Sequence, residues 1–193
     1  MAGPDSTDGE AALASAESIV GFWREGGPRR WFARNDAFDA AIRERFEPTR
    51  AAAARGALDG WRNHALGALA LILVLDQFPR NLFRGSPKAF ATDALARGVA
   101  REAIGRGFDQ STSPDLRLFF YLPLSHSESL DDQDLAMRLT EALEAAGGPD
   151  AGSAREHRDI IRRFGRFPHR NATLGRASTA EELAFLAAGG FRG

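Results

Sequence analysis

The chain has 193 residues, net charge −1 and no cysteine. That length suits one domain able to bury a real core. The charge balance argues against general nucleic-acid binding. The missing thiols exclude a disulfide framework and thiolate chemistry, so a metal would need histidine and carboxylate ligands.

The opening "MAGPDSTDGE" lacks the basic start and apolar core of a signal peptide, so the cytoplasm is the expected compartment. Residues 1–9 read as a disordered tail and residues 10–193 as a single helical domain. A first helix is expected over about Ala11–Arg24, stopped by Gly26-Gly27-Pro28. Asp36 is the candidate N-cap of the next helix, which Pro48 kinks or divides. Asn63 is placed to cap an apolar helix over 64–77. Its run Ala65–Leu75 falls short of the ~20 residues a bilayer span needs, so it reads as a buried core helix. Ser86-Pro87 and Ser113-Pro114 are start signals, with proline at a first helical position. Asp93 restarts a helix that ends by Gly107, and Pro123 closes a later one. Helices follow over 126–146 and 152–164, and Ser178-x-x-Glu181 reads as a capping box for the last. The pattern predicts an all-α fold of seven or eight helices packed as antiparallel hairpins.

Charge is uneven. Residues 128–150 hold seven acids and one arginine, and residues 155–176 hold seven arginines and two acids. With no aromatic ladder along the basic run, two solvated faces explain this better than a nucleic-acid groove. Of the 25 basic residues only Lys88 is lysine, so arginine by itself carries little weight.

Two phrases break otherwise regular helical patterning. "LDQFPRN" places Asp76, Gln77, Arg80 and Asn81 at the end of the most apolar helix. "RFPHRN" places Arg166, His169, Arg170 and Asn171 after the helix whose apolar face carries His157. A carboxylate at the end of a buried helix faces the negative end of the helix dipole and needs a cationic partner. A third group, His126 and Glu128, follows the turn set by Pro123. If the helix ends lie side by side, these side chains line one polar pocket. The bland alternative is a set of buried turns tied down by ion pairs. The His-x-Glu pair falls short of a metal motif, Ser125 and Ser127 lie in no nucleophile elbow, and no phosphate-binding glycine loop occurs. No metal site is assigned, and any cofactor is unknown.

The stretches "LILVLDQFPRNLFRGSPKAFATDALA", "FFYLPLSHSESLDDQ" and "HRDIIRRFGRFPHRNATLGRASTAEELAFL", with the earlier "FWREGGPRRWFARNDAFDAAIRERF", resemble the bacterial Domain of Unknown Function 924 family. The resemblance covers nearly the whole chain after the first dozen residues. It implies a tetratricopeptide-like all-α fold and no settled activity. Asp76, Gln77, Arg80, Asn81, His126, Glu128, His157, Arg158, Asp159, Arg166, His169, Arg170 and Asn171 match its pattern, whereas Leu124 and Ser125 depart from it.

Three readings follow. In the first, Arg80, Arg166 or Arg170 clamps a small anionic or polar ligand, Asn81 and Asn171 orient it, and Asp76 and Glu128 hold the arginines or read a ligand donor. In the second, an enzyme of hydrolase type uses His126 or His169 as general acid or base. In the third, a helical scaffold holds a peptide or protein partner in a groove. None involves nucleic acid or a membrane.

Overall fold

The computed structural model describes residues 12–192, so the expected tail over 1–9 lies outside the described residues. The helices are α1 (Ala16–Gly26), α2 (Pro28–Trp31), α3 (Asp36–Ala54), α4 (Ala65–Ile72), α5 (Phe78–Leu82), α6 (Asp93–Gly105), α7 (Pro114–Ser125), α8 (Leu130–Ala145), α9 (Gly152–Phe164) and α10 (Ala180–Ala187). No strand occurs among the described residues. The expected all-α architecture is present, and eight of the helices reach eight residues or more. The extra elements are the short α2 and α5, which sequence patterning runs together with their neighbours.

Helix α4 is buried nearly all round and packs against α1, α6 and α7. From α6 to α9 each helix packs on the next in the chain. Trp23 on α1 anchors the core, with ring centroids 5.4 Å from Phe119, 5.6 Å from Phe38 and 5.9 Å from Phe78. Each such ring removed from water contributes on the order of 2 kcal/mol, so this junction fixes how α1, α3, α5 and α7 meet. Gly67 lets α4 approach the preceding turn: a Cβ there would lie 2.4 Å from the Trp61 carbonyl oxygen. A smaller apolar cluster of Ile160, Ile161 and Phe167 joins α9 to the segment after it, with Phe164, Phe185 and Phe191 packed alongside.

The structure corrects several local expectations. The chain stays helical across Asp76-Gln77-Phe78-Pro79 instead of stopping there. Residues Leu73–Gln77 widen into a π-helical segment that runs into α5. Proline has no N–H to return to the preceding turn. The Thr92 hydroxyl donates to the Leu75 carbonyl at 2.5 Å, and Arg80 Nη1 donates to the Asp76 carbonyl at 2.7 Å. Outside donors therefore keep the interrupted ladder satisfied. The whole stretch Ala65–Leu82 is long and apolar enough to cross a membrane, contrary to the estimate from its apolar run, but it is 83% buried within the fold.

Pro48 and Pro123 lie inside α3 and α7, so neither ends its helix. Asn35 caps α3, its side chain accepting from Phe38 N, where Asp36 was expected. His64 occupies the N-cap position of α4 in place of Asn63. The capping box of α10 is Thr179 with Glu182, one residue beyond the expected pair. His126 is the C-cap of α7, and α8 begins only at Leu130.

Candidate functional site

The turn after α7 is held by three side-chain donors from other elements. Gln133 Nε2 donates to the Ser125 and Ser127 carbonyls at 2.7 and 2.6 Å. His157 Nδ1 lies 3.1 Å from the Ser125 carbonyl, and Arg170 Nη1 donates to the His126 carbonyl at 3.0 Å. The backbone that carries His126 is thereby fixed by α8, α9 and the turn Pro168–Arg170.

The His126 ring faces Asp76, with Nδ1 2.9 Å from Oδ1. Asp76 is fully buried. Burial pushes its carboxyl pKa up, but the charge of Arg80 and the hydrogen bonds from His126 and Gln77 outweigh that and hold it below the ordinary value. It is therefore a carboxylate and can only accept, so His126 Nδ1 carries the proton. Burial first, and the Arg80 charge second, lower the His126 pKa. That shift favours the neutral ring at neutral pH, in which Nε2 holds a lone pair that accepts from no described residue.

Arg80 closes one side. It lies 3.1 Å from Asp76 Oδ1 and pairs through both Nη atoms with Asp93, at 2.8 and 2.9 Å. This i,i+4 pair is possible because Pro79 does not break the helix. Arg170 lies beside it, and both approach Asp93. The Arg170 guanidinium lies between two rings, Cζ being 4.4 Å from the Phe167 centroid and 4.7 Å from that of Phe90. Its Nη1 stands 3.7 Å from Asp93 Oδ2. Its Nε is buried with no partner among the described residues. Burial, then the Arg80 charge, lower its pKa to about 10. The side chains of Arg80, His126 and Arg170 keep 19%, 14% and 8% of their surface exposed, so the cluster is largely buried.

Gln77, the remaining polar residue of the first phrase, donates to Asp76 at 2.5 Å. His157 is wedged edge-on against Phe191 and Phe167, at 4.7 and 5.3 Å, and burial lowers its pKa to about 3. His169 borders the same rings, has a buried unpartnered Nδ1, and is lowered to about 4 chiefly by burial.

The other expected residues serve a neighbouring network. Glu128 accepts from Phe167 N at 2.8 Å and pairs with Arg176, so it does not hold Arg170 or Arg166. Arg166 pairs with Glu182, and Asn171 bonds Ser178, Glu182 and Arg176. Asn81 turns to the far side of α5 and donates to Asp39 at 2.7 Å, where it helps line a separate cleft of about 390 Å³ with Arg43 and Arg84. The Ser127 hydroxyl donates to Asp132 at 2.6 Å. Asp93, Phe90, Phe167 and Arg176 are parts of the arrangement that sequence reasoning missed. Asp93 and Phe90 lie in what reads as an ordinary helix start, and Phe167 and Arg176 in a basic stretch, so no local signal marks their long-range partners.

The molecule is thus an all-α protein with a buried Asp–His pair beside two arginines. It belongs to the family described as bacterial protein of unknown function (DUF924), whose model matches residues 19–190. The solved structure of the protein of unknown function ATU0120 from Agrobacterium tumefaciens is similar to it, with a TM-score of 0.85 and 52% identity over 90% of this chain and 97% of that one. No curated protein matches the chain.

Proposed function

We propose that the protein binds a small anionic ligand where the Asp76, His126 and Arg170 segments meet. The observation that carries this reading is Arg170, a buried cation whose Nε donates to no described residue. A buried charge with unused donors is costly, and an anion placed against it removes that cost. Both Nη atoms of Arg80 are already held by Asp76 and Asp93, and it acts as the frame. Arg166 is likewise taken by Glu182. We place the protein in the cytoplasm, a reading supported by its lack of cysteine and by the burial of its one apolar stretch of membrane-spanning length among the described residues.

A second reading rests on the Asp76–His126 pair. A neutral imidazole with Nδ1 fixed on a carboxylate and Nε2 unclaimed is built to take a proton. In this reading the bound ligand is a substrate and His126 its general base. His169, walled by Phe167 and Phe191, has no carboxylate holding it.

The test of binding is an NMR titration of the imidazole signals with a panel of small anions. Saturable shifts of His126 and His169, with exposed His64 unmoved, are expected. Equal movement of all four histidines, or none, contradicts the reading.

A further inference from the structure

We infer that the anion is recognised through a monocarboxylate group, held in plane by the Nε–Nη2 edge of Arg170. This rests on the binding proposal above and narrows it. Nη1 is occupied by the His126 carbonyl. Phe90 and Phe167 flank the guanidinium, their ring centroids 4.7 and 4.4 Å from Cζ. The one edge left holds Nε, which is buried and unpartnered, and Nη2, which donates to no described residue. That edge presents two parallel N–H groups, the geometry that takes both oxygens of a carboxylate. A planar carboxylate sits against such flanking rings more readily than a tetrahedral phosphate. Charge points the same way. Arg80 and Arg170 are balanced by Asp76 and Asp93, and the Asp93 carboxylate stands 3.7 Å from the same guanidinium. Asp76 and Glu128 also act on this guanidinium, so a single added negative charge meets less repulsion from the surrounding carboxylates than a dianion does.

The experiment is NMR-monitored titration of the whole chain with acetate, propionate and benzoate, with inorganic phosphate at mildly alkaline pH, and with neutral acetamide. Wild type, Arg170→Lys and Phe90→Ala are compared. The carboxylates are expected to bind at least about 10-fold more tightly than phosphate or acetamide. Arg170→Lys keeps the charge but loses the paired edge, and should weaken carboxylate binding about 10- to 100-fold, the worth of a charge-assisted hydrogen bond. Phe90→Ala opens one face and should narrow the preference over phosphate. If Arg170→Lys does not fold, the Phe90→Ala comparison still decides.

Phosphate binding as tightly as the carboxylates, or acetamide matching acetate, overturns the carboxylate assignment and leaves a ligand at this corner. Carboxylate binding untouched by Arg170→Lys, or a preference over phosphate unchanged in Phe90→Ala, overturns the assignment to this edge. No response to any anion removes the binding proposal as well and means that Nε is satisfied by solvent.

Discussion

His126 Nδ1 lies 2.9 Å from Asp76 Oδ1, although 50 positions separate the two in the chain. The carboxylate fixes the tautomer of the ring, and Arg80 fixes the carboxylate. Asp76→Asn keeps the shape but removes the charge that Arg80 and His126 both face. Breaking a buried ion pair from one side costs about 3–5 kcal/mol. Because Arg80 retains Asp93, the lower end of that range is expected. Urea unfolding measures the loss, and the imidazole nitrogen shifts of His126 should show the Nδ1–H form no longer dominant.

The pH dependence of stability has a definite sign. Folding lowers His157 from 6.5 to about 3 and His169 from 6.5 to about 4. The unfolded chain therefore binds protons that the folded chain refuses. Their contribution is complete above the unfolded value and is lost as pH falls toward the folded values. Between about pH 6 and pH 4 the two together should cost roughly 2–3 kcal/mol per pH unit. Asp76, held below its unfolded value of 3.8, contributes above that value and is lost at still lower pH. His157→Gln should reduce the slope by about one proton, read from urea midpoints across the range. An unchanged slope would mean that His157 is not held neutral by its burial.

The π-helical segment depends on Thr92. Its hydroxyl donates to the Leu75 carbonyl at 2.5 Å. Thr92→Val keeps the shape and leaves that buried carbonyl unpaired, which should cost about 1–3 kcal/mol. Thr92→Ser should recover most of it. Equal stability of wild type and Thr92→Val would mean the carbonyl finds another donor.

Gly67→Ala tests the close approach of α4 to the turn at Trp61. Alanine improves helix propensity by about 1 kcal/mol. Here its Cβ would meet the Trp61 carbonyl oxygen at 2.4 Å, so backbone must move. A net loss of roughly 2 kcal/mol or more is expected, of the size overpacking produces. A thermal midpoint that rises instead would contradict this packing.

How much of this could be read from the chain depends on the range of each interaction. The all-α class follows from periodicity, and the grouping of Asp76, Arg80, His126 and Arg170 follows from polar residues beside prolines and apolar helices. The continuity of the helix past Pro79 is not legible, because Thr92 supplies the missing donor from 17 positions away. The partners of Glu128 and Asn171 are not legible for a similar reason. Arg176 sits in a basic stretch that looks solvated, yet it takes Glu128 away from the site and bonds Asn171. Asn81 follows Arg80 in sequence, but one helical step turns it to Asp39 on the other side of α5. Phe90 gives no sign in sequence that it covers a guanidinium.

The most direct test is a crystal structure of the protein grown with an excess of a small carboxylate such as benzoate. The account predicts a carboxylate group in plane with the Arg170 guanidinium, hydrogen-bonded to Nε and Nη2 and close to His126. Benzoate found only on exposed arginines, with Arg170 Nε bonded to water or to the protein, would contradict it.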